Sequence, residues 1–146
     1  MYWEPDLCSH SANCVRSLRS VFRPKRRPWI QLSAEPGRSG ADRIAEAVLE
    51  CPTGALHYER RDGGPDEQPP EPPDVRFQRD GPVELRGRIC VRRPGSDEVV
   101  REDVRVSLCR CGVSARMPFC DGSHRGDVTG DPCDPAGAAR EQRHRQ

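Results

Sequence analysis

"CRCGVSARMPFCDGSH", residues 109–124, places three cysteines and a histidine within sixteen positions. The stretch is too short and too polar to build a core, so its soft side chains need another purpose. Cys109, Cys111, Cys120 and His124 follow the spacing C-x-C-x8-C-x3-H. Three thiolates and an imidazole in one loop suit zinc or an iron–sulfur centre. Structural zinc sites commonly present C-x2-C knuckles. The tighter C-x-C sets two thiolates side by side, as two ligands of one iron would stand, and favours iron–sulfur while leaving zinc open.

The residues just upstream explain how the chain reaches that loop. Val83, Leu85, Ile89 and Val91 alternate with Glu84, Arg86, Arg88 and Arg92, and Gly87 fills the gap in the apolar row. This period of two marks a half-buried strand. "RRPGSDE" reads as a turn, and Val104, Val106 and Leu108 alternate again into Cys109. A small antiparallel sheet is therefore expected to deliver the chain to the cysteines.

Taken whole, the string C-x-C-x2-S-x3-P-x-C-D-G-S-H resembles the CDGSH iron–sulfur proteins, the mitoNEET-like family. It is met by Cys109, Cys111, Ser114, Pro118, Cys120, Asp121, Gly122, Ser123 and His124. The resemblance covers roughly residues 75–128. It implies a 2Fe-2S cluster with Cys109 and Cys111 on one iron and Cys120 and His124 on the other. A homodimer through this half is an arrangement the resemblance admits. One neutral imidazole in place of a thiolate should raise the cluster potential, in the direction of the two-His Rieske centres. It also supplies an acid-labile ligand. Asp121 is expected to cap free amides at a helix start beginning near Cys120, steadying the cluster sulfurs.

The other end of the chain carries a second cysteine group. "CSHSANC" (8–14) and "CPTGAL" (51–56) resemble short divergent single-cluster bacterial ferredoxins with C-x-H-x3-C and C-P-[ST]-G-A-L, in which the proline after the last ligand is Pro52 here. The likeness spans about residues 7–58. It departs from the full ferredoxin string at Ser11, where a second cysteine would stand. Cys8, Cys14 and Cys51 are thus three thiolates, enough for a 3Fe-4S cluster. A 4Fe-4S cluster needs a fourth ligand from His10, Ser11 or water, and the two nuclearities stay open. Thr53 and Gly54 read as turn formers. Cys90 and Cys133 are left as free thiols, and His57 and His144 as surface residues.

Composition agrees with folds held by metal. Of 146 residues, 34% are hydrophobic and 32% charged, with only three Phe, two Trp and two Tyr. Small domains bury a low fraction of their surface, so such a chain needs staples. Eight cysteines supply them, as disulfides or as ligands. The opening "MYWEPDLCSH" has no basic region followed by an apolar one. A cytoplasmic chain is therefore expected, whose clustered thiols bind metal rather than pair. No run is long enough to span a membrane.

Periodicity divides the chain. "ERRDGGPDEQPPEPPD" (59–74) has five prolines and two glycines and reads as a semi-extended linker. The expected organisation is α+β: a small ferredoxin-like domain at 1–58, the linker at 59–74, a small β-rich CDGSH domain at 75–128, and a disordered tail at 129–146. In the first domain, "ANCVRSLRSVF" suits a short helix with Val15, Leu18 and Phe22 on one side. "PWIQL" and "ALHYE" suit short strands. Ser39 and Asp42 make a capping-box-like start for a helix whose stripe is Ile44, Val48 and Leu49, ending before Pro52.

Charge narrows the function classes. The formal net charge is +1, from 24 basic and 23 acidic residues, which disfavours non-specific nucleic-acid binding. The local run "RPKRRP" (23–28) reads as a solvated loop or as a docking patch for an acidic partner. No nucleophile–base pair, paired-carboxylate motif or phosphate loop is present, so no enzyme activity is expected. The leading expectation is a two-cluster electron-transfer protein working with redox partner proteins. Cluster storage or transfer to apo-acceptors, or redox and pH sensing, comes second. A zinc-bearing interaction adaptor comes third.

Overall fold

A computed structural model describes residues 1–125. The tail expected at 129–146, with Cys133 and His144, lies outside the described residues, as do the last three residues of the expected CDGSH half. Packing divides the chain into two units, Met1–Pro69 and Pro70–Gln146. Both helices and strands are present, as an α+β chain requires.

The first unit is closed by its own ends. Strand β1, Tyr2–Trp3, pairs antiparallel with β2, Leu56–His57, through Tyr2–His57 and Trp3–Leu56. Between them lie the five-residue helix α1, Asn13–Ser17, and the longer helix α2, Gly37–Leu49. α1 stops at Leu18, sooner than its apolar spacing suggested, and the chain turns so that Leu18, Val21 and Phe22 enter the core. "PWIQL" forms no strand; a single antiparallel bridge joins Phe22 to Ile30.

The capping box expected at Ser39 and Asp42 is not formed. α2 starts two residues before Ser39, with Pro36 at its N-cap and no side-chain cap. Asp42 instead accepts from Arg60 Nη1 at 2.7 Å. Gly40 is required by close approach, because a Cβ there would lie 2.3 Å from the Glu35 carbonyl oxygen. α2 then buries Ala47 and Val48 in a core with Leu18, Val21, Phe22, Ala55 and Leu56. Cys51 belongs to that same core, with Cys8 and Cys14 packed against it. The three cysteines are therefore part of this interior or packed against it.

The proline-rich stretch differs from a free linker over its first half. Arg60 is held by Asp42 and Asp62, and its backbone N–H donates to Asp66 at 2.6 Å. His57, read as a surface residue, pairs through Nδ1 with Glu67 at 2.8 Å and stacks on Tyr2. Both partners of that pair are largely buried. Hydrogen bonds to Asp42 and His57 hold residues 59–67 on the first unit, against the extension that proline favours.

The second unit is a three-stranded antiparallel sheet in the order β3–β4–β5: Asp74–Phe77, Val83–Arg92 and Val99–Leu108. The hairpin is the one expected, but the register is not. Val83 and Leu85 face Leu108 and Val106, while Ile89 and Val91 face Asp103 and Arg101, across a register shift between Arg86 and Ile89. One extra residue moves every later side chain to the other face. Ile89 and Val91 therefore share a face with Glu84 and Arg86, not with Val83 and Leu85. Gly87 carries this bulge at φ +137°.

That face is also more buried than its charges suggested. Glu84, Ser107 and Arg105 are all buried, Arg105 to 2% exposure, and Arg86 stands directly opposite Arg105. Val106 lies fully buried on the other face.

A Cβ at Gly87 would meet Pro73 Cβ at 2.9 Å in a backbone region side chains rarely adopt. Gly87→Val should destabilise the second unit by about 1–3 kcal/mol, read as a lower denaturant midpoint at unchanged slope. An unaltered midpoint would place the bulge elsewhere.

Candidate metal centres

Each cysteine group sits where a short element hands over to a loop. In the second unit β5 ends at Leu108, so Cys109 leaves the sheet directly. The loop is pinned back on that strand. Cys109 N–H donates to the Pro118 carbonyl at 2.8 Å and Cys120 N–H to the Ser107 carbonyl at 2.9 Å, with a bridge between Leu108 and Phe119. Cys109 and Cys120 are thereby brought side by side from eleven positions apart in the sequence.

The four donors stand as two pairs. Cys109 Sγ and Cys111 Sγ are 3.4 Å apart, and Cys120 Sγ lies 3.5 Å from His124 Nδ1. Two thiolates on one tetrahedral metal stand about 3.7 Å apart, given metal–sulfur bonds of about 2.3 Å; a thiolate and an imidazole stand about 3.6 Å apart. Each pair therefore has the spacing of two ligands on one metal. Among the described residues, no three Cys, His, Asp or Glu side chains gather as a mononuclear ligand set. The donor set suits two metal ions better than one.

The residues around these donors tie the loop together through hydrogen bonds. Ser114 Oγ donates to the Phe119 carbonyl at 2.7 Å and accepts from Arg116 N–H at 3.1 Å. Asp121 accepts from Ala115 N–H at 2.8 Å and from Ser123 N–H at 2.9 Å, tying both sides of the loop together. The helix start expected here is a single 3-10 turn, Ser123–Arg125. Gly122, at φ 92°, makes the bend before it. Partial burial pushes the Asp121 carboxyl up, but the bonds from Ser123, Ala115 and Ser114 outweigh it and hold the group ionised well below the usual carboxylate range.

The thiols answer to the same forces. Desolvation raises Cys109, yet hydrogen bonding from Cys111 and the backbone amides of Ser114, Gly112 and Cys111 reverses the sign and lowers it. Those amides are aimed where thiolate or sulfide charge would sit. Cys120 is more buried, and desolvation keeps its thiol raised.

In the first unit, Cys8 follows the 3-10 turn Pro5–Leu7, Cys14 opens α1, and Cys51 follows α2. All three line one cavity of about 320 Å³, its open mouth included. Ser9, Ser11, Ala12, Thr53, Trp3 and Trp29 also line it. Burial pushes the Cys14 thiol up to about 11, and Cys51 and Cys8 add to that shift. Three cysteine sulfurs around one cavity are a donor set suited to a polynuclear centre.

The candidates for a fourth ligand separate. Ser11 lines the cavity, whereas His10 is exposed and only its backbone N–H turns toward Cys8 Sγ, at 3.4 Å. Thr53, read as a turn former, is buried with Oγ1 3.7 Å from Cys51 Sγ, so it is also a contact. Pro52 is buried beside it. Trp3 and Trp29 are the lining residues the motif did not indicate; they meet edge to face at 4.8 Å. Their only signal in the sequence was the scarcity of tryptophan. Cys90 is exposed on β4, beside Glu102.

Comparison with known proteins divides the chain at the same place. Residues 1–61 match the family model of the divergent 4Fe-4S mono-cluster, and residues 80–125 match that of the iron-binding zinc finger, CDGSH type. The Uncharacterized protein YjdI of Escherichia coli strain K12 is 34% identical over 61 residues, which cover 42% of this chain and 75% of that protein. Its counterpart in Escherichia coli O157:H7 aligns with the same figures. No solved structure matches. With three thiols around one cavity and four donors in two pairs, the chain belongs to the divergent 4Fe-4S mono-cluster family through its first unit and carries a CDGSH-type iron-binding domain in its second.

Proposed function

We propose that this is a two-cluster iron–sulfur protein that passes single electrons between partner proteins in the cytoplasm. The observation that carries this reading is the pairing of donors in the second unit, thiol with thiol and thiol with imidazole, together with a separate thiol-lined cavity in the first. Cys109 and Cys111 would hold one iron of a 2Fe-2S cluster, and Cys120 and His124 the other. Cys8, Cys14 and Cys51 would hold a 4Fe-4S or 3Fe-4S cluster, with Ser11 the better-placed fourth ligand and His10 the poorer. Bound clusters supply one-electron redox chemistry at potentials set by charge and hydrogen bonding. The first unit would be a reduced ferredoxin-like fold, its terminal strands paired across the cysteine loops.

The chain's own groups define what the sites do. Amides of Gly112 and Ser114 stabilise negative charge on Cys109. Asp121 holds the loop that carries Cys120 and His124. Trp3, Trp29 and Leu56 supply apolar lining to the first cavity. On this reading the protein would act on partner proteins and carry no catalysis of its own.

Half-burial of His124 at the loop end supports a second role, release of the cluster to apo-acceptors. A homodimer through the second unit is compatible with either role. A zinc adaptor is the weaker alternative, because the donors do not gather as one tetrahedron.

Anaerobically purified protein should be brown and contain iron and acid-labile sulfide; colourless protein with stoichiometric zinc would refute the cluster reading. Cys120→Ala should remove the 2Fe-2S EPR signal and leave the other, whereas Cys14→Ala should do the reverse. His124→Cys adds thiolate charge and should lower the second unit's potential in protein-film voltammetry. Ser11→Cys supplies a fourth thiolate and should suppress any oxidised three-iron EPR signal. Its persistence would exclude position 11 from the ligand set.

A further inference from the structure

The run 23–28 is absorbed by neither cluster site, and its placement gives it a use. Phe22 and Ile30 bridge at its base, and Arg23 N–H donates to the Trp29 carbonyl at 2.7 Å. The segment between is thus a closed loop with Arg23 at its base and Lys25, Arg26 and Arg27 beyond it, all exposed. Arg23 Nε donates to the Ser20 carbonyl at 3.0 Å. Among the described residues, no carboxylate pairs with any of the four.

The loop is tied to the cavity that Cys8, Cys14 and Cys51 line. Trp29 ends the loop, lines that cavity and packs on Trp3 and Phe22. Trp3 remains 39% exposed and Tyr2 50%. An apolar aromatic patch beside a redox site, with uncompensated positive charge next to it, is the anatomy of a transient protein interface. A solvated loop would have no reason to be anchored there by two aromatic contacts.

We propose that this loop, with Tyr2 and Trp3, docks an acidic redox partner protein against the first cluster. The inference rests on the electron-transfer reading above. One electron leaves the reduced first cluster and reduces the partner's one-electron centre, with no bond made or broken. Four like charges steer the encounter, and the tryptophans form its dry centre. A polyanionic nucleic acid is disfavoured, because the patch is small and the chain as a whole has a net charge of only +1.

The test uses full-length holo-protein and two one-electron acceptors, an acidic plastocyanin and a basic cytochrome c. Stopped-flow rates and calorimetric affinities are compared for the native chain, K25Q/R26Q/R27Q, and the charge-matched control R61Q/R79Q/R88Q. The loop variant should slow transfer to plastocyanin and weaken its binding about tenfold, and the native rate should fall with added salt. The control and the cytochrome c reactions should change less than twofold. Equal losses in both variants, or no loss in either, overturn the proposal. So does preferential, loop-dependent binding of a single-stranded RNA probe. Failure of the native protein to pass electrons even to a small neutral mediator would overturn the electron-transfer reading itself, and this proposal with it.

Discussion

Cysteine crowding is the constraint on which both units depend. Cys14 shows it most directly: burial drives its thiol up, and neighbouring Cys51 and Cys8 drive it further. Thiolates held this close repel one another. A cation that neutralises several sulfurs at once turns the same crowding into the strongest crosslink available to so small a fold. The core of the first unit includes Cys51 and packs against Cys8 and Cys14. Its architecture and its ligand set are therefore one arrangement of side chains.

The two units meet this constraint differently. In the first, the cysteines come from three elements, after the Pro5–Leu7 turn, in the first turn of α1 and after α2, and Trp3 of β1 and Leu56 of β2 complete the cavity they line. In the second, a single loop carries every donor; its amides donate to the Ser107 and Pro118 carbonyls and to the Asp121 carboxylate, and the Ser114 hydroxyl donates to the Phe119 carbonyl. That difference carries over to chemistry. A preformed loop with amides directed at Cys109 fixes ligand geometry locally, so the second site depends little on a large core. The first site depends on the packing of the whole unit, with Trp3 and Trp29 contributing apolar lining.

Much of the site was legible before any fold was known, because metal ligation constrains residue type and spacing more tightly than packing does. The donors Cys109, Cys111, Cys120 and His124 are four positions in one loop, and chain connectivity alone keeps them near one another. Legibility declined as contacts became long-range. The β4–β5 hairpin was evident from alternation, but the bulge at Gly87 was not, since a glycine in an alternating row looks like a missing apolar residue. The consequence was large: Ile89 and Val91 belong to the face opposite the one their parity indicates. Arg60, Asp66 and Glu67 were likewise unreadable as anchors, because proline content dominates the local signal while their partners, Asp42 and His57, lie in folded elements.

Sequence alone determined which atoms can bind metal and that two separate groups of them exist, because thiolate and imidazole chemistry follows from residue identity and short spacing. Tertiary structure alone decided how those atoms are grouped in space. It set the donors of the second unit in two pairs, placed Ser11 rather than His10 at the first cavity, and brought Trp29 and the basic loop to that cavity's edge. These outcomes turn on strand pairing and burial between residues far apart in the chain, and no local pattern records them.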